Sequence, residues 1–247
     1  MKTILITGCS SGFGLETARY FLDRGWKVIA TMRMPREEIL PRSEHMRLLA
    51  LDVTDPHSIG QAVETAGPVD VLVNNAGIGV LNALEGTSMD DIREVFETNT
   101  LGTIAMTQAL LPQFRQRRAG VIVNVTSSVT YRPFPLLAVY SASKAAVNAF
   151  SESLALELAP FDVRVRLVLP GRAPETRFGE NARTRMQDGI PDAYAELAQN
   201  VFAEWGKATA TTKARDVAEA VWHAANDPSC PPRIAAGADA LALAGTS

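Results

Sequence analysis

The chain has 247 residues, 47% of them hydrophobic, which is enough to bury one sizeable core and an ordinary length for one α/β domain, so a single domain over 1–247 is expected. A formal charge of −3 with an isoelectric point near 5.7 offers no basic field for nucleic acid, and no run of 18 apolar residues is present to span a membrane. The two cysteines, Cys9 and Cys230, lie far apart, the three His show no metal-ligand spacing, and Met1-Lys2-Thr3 runs into an apolar strand rather than a signal segment; no disulfide framework and no metal site are expected, and the cytoplasm fits best.

Ile4-Leu5-Ile6 is a short apolar run that ends in Thr7-Gly8-Cys9-Ser10-Ser11-Gly12-Phe13-Gly14, after which Leu15, Ala18, Phe21 and Leu22 repeat at helical spacing. Strand, glycine loop and helix in that order suit a phosphate site, because glycine lets backbone N–H groups approach a ligand and the helix N-terminus presents unpaired donors. A glycine turn without a ligand is the plainer alternative. Val28-Ile29-Ala30-Thr31 forms a second strand that ends at Met32-Arg33, with Arg36 close by. In a dinucleotide fold this strand end faces the adenosine ribose, where a carboxylate suits NAD and a cation suits the extra phosphate of NADP. The absence of a carboxylate here favours NADP(H) over NAD(H), read against a surface arginine as the alternative.

Pro35 and Pro41 leave little room for a second crossover helix before Leu48-Leu49-Ala50-Leu51, the third strand. Asp52 sits at its C-terminal end as a candidate adenine contact, and Asp55-Pro56 reads as a helix cap. The fourth strand, Val69 to Val73, ends in Asn74-Asn75-Ala76-Gly77, which suits a satisfied turn or a cofactor rim. Ser88 and Asp91 form a capping box for a helix that continues past Asn99 to Phe114, and an amide inside that apolar helix needs a partner. Val121 to Val125 is a fifth strand ending in Thr126-Ser127-Ser128, and Val163 to Leu169 a sixth stopping at Pro170-Gly171. Residues 172–210 lack a strong period and read as an irregular lid or binding loop. Val217, Ala220 and Val221 mark one last helix, and Ile234 a short final strand. Strands alternating with helices argue an α/β fold, a Rossmann-type doubly wound parallel sheet with helices on both faces.

Between the fifth and sixth strands lies Tyr140-Ser141-Ala142-Ser143-Lys144, which stacks a phenol and an ammonium one turn apart on one helical face. A phenol is almost wholly neutral at pH 7, and a neighbouring cation favours the phenolate, so Lys144 is expected to move the Tyr140 pKa toward neutrality. Tyr20 and Arg24 share the spacing with nothing catalytic around them, so the pair alone also fits a half-exposed aromatic beside a solvated cation. Lys144 stands out in a chain with 19 Arg and 5 Lys, where a compact ammonium is the exception.

Together, Gly8, Gly12 and Gly14, the Asn74-Asn75-Ala76-Gly77 run, Asn99, Ser127, the Tyr140/Lys144 pair and Pro170-Gly171 resemble the short-chain dehydrogenase/reductase family in its single-domain form, over essentially the whole chain. The resemblance implies that Tyr140 is the acid/base, that Lys144 lowers its pKa and holds the nicotinamide ribose, that Ser127 hydrogen-bonds the substrate oxygen, and that Asn99 holds a water in a proton relay. It implies that Gly8, Ser10, Ser11, Gly12, Phe13 and Gly14 line the pyrophosphate and nicotinamide ribose, Asp52 and Val53 the adenine, and Asn75, Ala76 and Gly77 the adenosine side. Pro170 and Gly171 border the nicotinamide, and the nearest Thr after them is Thr176, set further along by Ala173-Pro174-Glu175. The glycine-loop wording, Ala30-Thr31-Met32-Arg33 and Gly237-Ala238-Asp239-Ala240 resemble the branch with 17β-hydroxysteroid and retinol dehydrogenases and their bacterial relatives.

The implied activity is an NADP(H)-dependent carbonyl reductase or alcohol dehydrogenase. A non-catalytic NADP(H)-binding sensor and a sugar-nucleotide epimerase are the alternatives, the former disfavoured by retention of Tyr and Lys, the latter by its different glycine spacing and larger C-terminal region. A small-molecule carbonyl or alcohol is the expected partner, mostly apolar because Val129, Tyr131, Phe134, Leu136 and Leu137 precede the catalytic helix and Phe178, Met186, Phe202 and Trp205 supply the loop. Arg132, Arg177, Arg183 and Arg185 are offset by Glu175, Glu180 and Asp188. Small residues along 101–114 and 142–158, with the family resemblance, point to a homodimer or homotetramer.

Overall fold

The computed structural model describes residues 1–176, 179, 182 and 189–246. Among them, seven parallel strands form one sheet in the order β3-β2-β1-β4-β5-β6-β7. The strands are β1 (Thr3–Ile6), β2 (Lys27–Met32), β3 (Met46–Ala50), β4 (Val71–Asn74), β5 (Gly120–Val125), β6 (Val163–Pro170) and β7 (Arg233–Ala236). Helices α1 (Gly12–Leu22), α2 (Pro56–Ala66), α3 (Met89–Phe96), α4 (Gly102–Arg117), α5 (Ala138–Leu158), α6 (Ala195–Lys207), α7 (Ala214–Asn226) and α8 (Ala238–Ala244) connect or follow them.

The alternation of side chains along each strand sorts the core into two layers. Ile4, Ile6, Val28, Val71, Val73, Val121 and Val123 face α1 and α7, where Phe21, Val217 and Val221 are fully buried. Leu5, Ile29, Leu72, Ile122 and Val165 point the other way, onto α2, α4 and α5 through Ile59, Met106, Leu110, Phe114 and Leu154. Strand order reverses between β1 and β4, so the loops leaving these strands diverge and open a crevice at the C-terminal edge of the sheet.

The structure departs from the sequence pattern in four places. β4 runs from Val71 to Asn74 rather than from Val69 to Val73, the Val69 N–H being taken by the Gln113 side chain instead of a neighbouring strand. β3 starts at Met46, two residues before the apolar run, because as an edge strand it pairs only with β2 and is half-exposed, which weakens its pattern. Residues 172–210 are not irregular throughout: α6 occupies Ala195–Lys207, with Ala198 and Val201 buried at helical spacing while Phe202 on its open side blurs the period. α8 follows β7 beyond the helix expected to be last. Phe178, Met186, Arg177, Glu180, Arg183, Arg185 and Asp188 lie outside the described residues.

Tyr20 and Arg24, which share the Tyr140/Lys144 spacing, form a stacked pair. The Arg24 guanidinium lies 3.5 Å from the Tyr20 ring centroid, and Tyr20 packs edge-on against Trp222. Four-residue spacing therefore produces a packing contact in one helix of this chain and a different environment in another.

Candidate active site

The first component of the site is a cleft of about 290 Å³ at the switch between β1 and β4. It brings together Gly8, Ser10, Ser11, Gly12, Phe13, Arg33, Asp52, Val53, Asn75, Ala76 and Gly77, all expected from the sequence, with Met32 and Thr176. Gly14 sits in the first turn of α1 against the Gly8 carbonyl and the Asn75 amide. Leu51, Thr54, Ile78, Glu94 and Thr98 also line the cleft, which the sequence pattern does not reveal. Glu94 and Thr98 carry no separate signal because they belong to a helix whose apolar stripe faces elsewhere.

Thr7 ties the two loops together. Its hydroxyl accepts hydrogen bonds from the N–H groups of Asn75 (3.0 Å) and Ala76 (2.9 Å), and the Asn75 amide donates to the carbonyls of Thr7 (2.9 Å) and Gly8 (3.1 Å). Gly8 adopts φ +73°, and a Cβ there would come within 2.8 Å of the Ala76 Cα, so only glycine permits this approach. On the other side, the Cys9 N–H donates to the Thr31 carbonyl and Arg36 donates to the Ser10 carbonyl at 2.7 Å. Cys9 is wholly buried and burial pushes its thiol up to about 12, so it is inert filling of the loop.

The cleft residues fit a dinucleotide. Ser11 at the α1 N-terminus makes no side-chain cap, which leaves the first-turn N–H donors open toward the cleft. The Asp52 carboxylate is held below its ordinary pKa, chiefly by the Thr54 N–H and also by the Thr54 hydroxyl and Arg33, so it is ionised at neutral pH. Open N–H donors, an ionised carboxylate and a guanidinium thus share one crevice, a set that suits the phosphates and adenosine of a dinucleotide.

The second component lies past the ends of β4, β5 and β6. Tyr140 and Lys144 are buried in the first turns of α5, and Ser127 follows β5. Lys144 Nζ donates to the Val125 carbonyl at 3.1 Å and stands 6.0 Å from the Tyr140 ring centroid. Gly77 joins the two components: a Cβ there would lie 3.1 Å from Asn99 Oδ1 and 3.2 Å from Lys144 Nζ. Pro170 ends β6, and the Gly171 N–H donates to the Thr212 hydroxyl at 2.9 Å.

Asn99 occupies a π-helical turn, Glu97–Leu101, between α3 and α4. The extra residue rotates its amide inward, where Oδ1 accepts from the Ile78 N–H (2.8 Å) and Nδ2 donates to the Ile78 carbonyl (2.9 Å) and to Ser143 Oγ (3.0 Å). Ser143 Oγ in turn donates to the Tyr140 carbonyl at 2.7 Å. The amide therefore fastens the loop after β4 to the helix that bears Tyr140, while the Asn99 carbonyl accepts from Thr103 Oγ1 at 2.8 Å.

The electrostatics differ from the sequence expectation. Burial pushes the Tyr140 phenol up to about 12, partly countered by a hydrogen bond with Ser127, rather than the cation drawing it toward neutrality. Burial also lowers Lys144 to about 8. The spacing places both residues on one helical face, but the ammonium is turned to the Val125 carbonyl and desolvation is the leading cause of the shift in each.

Residues 2–187 match the family described as short chain dehydrogenase. The chain belongs to that family. Over 199 residues this dehydrogenase-family chain is 41% identical to 3-ketodihydrosphingosine reductase of Bacteroides thetaiotaomicron, covering 79% of this chain and 72% of the relative. It is 39% identical to human retinol dehydrogenase 8, covering 69% of this chain and 58% of that protein, which agrees with the branch resemblance in the sequence. Among solved structures, a short-chain dehydrogenase from Streptomyces avermitilis superposes with a TM-score of 0.84 at 34% identity, over 99% of this chain and 91% of that one. A serine dehydrogenase complexed with NADP+ superposes with a TM-score of 0.82 at 29% identity, over 96% and 95%.

In this family member the depressed Lys144 pKa has a measurable consequence. The unfolded chain holds a proton on Lys144 up to about pH 10.5, the folded chain only to about 8, so the cost of burying the ammonium is fully present below pH 8 and is relieved between these values. Lys144→Met should therefore lose about 3 kcal/mol of its stability relative to the parent between pH 7 and pH 10.5, because each pH step between the two pKa values contributes roughly 1.4 kcal/mol. Urea unfolding of both proteins across that range measures the difference, in which titrations common to both cancel. A pH-independent difference would contradict the buried ammonium.

Proposed function

We propose that this chain is an NADP(H)-dependent carbonyl reductase acting on a mostly apolar ketone or aldehyde, with Tyr140 as the proton donor. The observation that carries the reading is the burial of Tyr140, Ser127 and Lys144, with Lys144 Nζ against Gly77, a residue that also lines the dinucleotide cleft. A nicotinamide cofactor held by the residues of the cleft would supply a hydride for the carbonyl carbon. Tyr140 supplies the proton that the carbonyl oxygen needs as it becomes an alcohol, and its high pKa keeps that proton in place at neutral pH. Ser127 orients the oxygen, and Lys144, near its midpoint at about pH 8, returns a proton to the phenolate through the relay water assigned to Asn99 and regains one from solvent after each turnover.

NADP(H) preference rests on Arg33 in the cleft, on Arg36 against Ser10, and on Met32 where a carboxylate would suit NAD. The apolar substrate is supported by the cluster of Leu81, Ala83, Leu136, Ala198 and Val201, with Leu137, Tyr194 and Trp205 packed on it, and by the names of the two relatives. Self-association through α4 and α5 is part of the same reading, supported by Leu101 and Leu156, which are 48% and 79% exposed beside and on those helices.

Four outcomes are expected. Met32→Asp with Arg33→Ala should raise relative use of NADH in initial-rate assays; equal use of both cofactors by the parent, with no response to the change, would reject the preference. Along a ketone series kcat/KM should rise by up to about tenfold for each pair of buried methylenes, and Tyr140→Phe should abolish turnover while leaving NADPH binding nearly intact. Preference for short carboxylated ketones would reject the apolar site, and turnover by Tyr140→Phe would reject the mechanism. Light scattering at assay concentration should report a dimer or tetramer, and a monomer would reject the association.

A further inference from the structure

Arg172, immediately after Pro170-Gly171, is held from two directions. Its N–H donates to Asp239 Oδ2 at 2.6 Å, and its carbonyl accepts from the Thr212 N–H at 2.8 Å. Asp239 belongs to the first turn of α8, and its other oxygen lies 2.7 Å from the Thr212 hydroxyl, which also accepts the Gly171 N–H. The backbone of 171–172 is thus locked to the C-terminal end of the sheet.

The side chain reaches the opposite way. Its guanidinium donates to the Trp205 carbonyl and, at 2.6 Å, to the Ala208 carbonyl at the end of α6. α6 ends at Ala208 in extended backbone with φ −70° and ψ 117°, without the left-handed residue that commonly satisfies last-turn carbonyls. A cation here complements the negative end of the helix dipole as well as the unpaired acceptors. The start of α6 is tied separately. Tyr194 OH donates to Glu85 at 2.9 Å, Asn82 Nδ2 donates to the Gly189 carbonyl at 3.2 Å, and Ala198 and Val201 pack on Leu81 and Leu136. Leu136 has φ +64°, a strained value for a bulky residue, four residues before Tyr140.

We infer that Arg172 is a positioning residue that couples the loop after β6 to α6, setting the helix whose Ala198 and Val201 pack on Leu136, four residues before Tyr140. This rests on the proposed reductase reading for its kinetic consequence, but not for its structural one. With the guanidinium removed, the loop keeps its backbone bonds to Asp239 and Thr212, whereas the last turn of α6 loses its hydrogen-bonded tie to the sheet and keeps, among the described residues, the packing of Trp205 on the apolar cluster. Substrate binding then weakens while the cofactor site and the chemical step do not.

The test is hydrogen–deuterium exchange of the whole protein, resolved by peptide, for the parent, Arg172→Met, Arg172→Gln and Arg172→Lys. In Arg172→Met the amides of 195–207 should exchange about tenfold faster, as expected for losing charged hydrogen bonds at a partly exposed site, with β1, β4 and α5 unchanged. Arg172→Gln should fall between, and Arg172→Lys should restore part of the protection because an ammonium supplies charge without the fork. Steady-state assays with NADPH and a long-chain ketone should show KM rising by about tenfold, with kcat and the NADPH dissociation constant within about twofold. Unchanged exchange over 195–207 in Arg172→Met and Arg172→Gln, or equal acceleration throughout the protein, would overturn the inference. So would a fall in kcat with KM constant. A parent protein that turns over no carbonyl compound would instead defeat the reductase reading, and the exchange pattern would still decide the role of Arg172.

Discussion

The Thr7 hydroxyl and the Asn75 amide make the contact on which the rest of the site depends. Past the ends of β1 and β4 the backbone has no strand partner, so its polar groups must be satisfied locally. Thr7 accepts two N–H groups of the β4 loop, and Asn75 returns two hydrogen bonds to the β1 loop. Each such group left unpaired in a partly buried position would cost about 1–3 kcal/mol. The knot therefore sets the separation of the loops, and with it the cleft that runs from Arg33 to Gly77. Gly8 matters because a side chain there would push the knot apart.

From Gly77 the constraint passes to α5. Asn99 grips the backbone of Ile78 on one side and Ser143 on the other, so the loop after β4 and the first turns of α5 move as one unit. The π-helical turn makes this possible, since an uninterrupted α-helix from Met89 to Arg117 would carry the amide round to another face. The same packing seals Tyr140 and Lys144 from water and shifts both toward their neutral forms. Stability is given up here to bury an ammonium, still mostly protonated at neutral pH, on the same helical face as a neutral phenol.

Much of the fold is legible in the sequence because strands and helices announce themselves by period. Ile4, Leu5 and Ile6, or Val121, Ile122 and Val123, are buried on both faces and therefore read as continuous apolar runs. β3 and α6 are less legible for the opposite reason: each has one face open, so Met46 and Arg47, or Phe202 beside Val201, break the expected pattern. α8 is seven residues of Ala, Leu and one Asp, too short for a period to emerge.

The sequence alone determined the succession of the strands and of the helices that show a period, the glycine loop, and the positions of the candidate side chains Asn99, Ser127, Tyr140 and Lys144, because these depend on local spacing along the chain. Membership in the short chain dehydrogenase family was legible for the same reason. Only the tertiary structure decided what those side chains experience. Lys144 turns to Val125, Tyr140 is pushed up rather than down, Thr7 emerges as the tie between two loops, and Arg172 reaches from one end of the sheet to the end of α6. Desolvation and hydrogen bonding between segments distant in sequence govern each of these, and neither leaves a trace in the spacing of residues along one element.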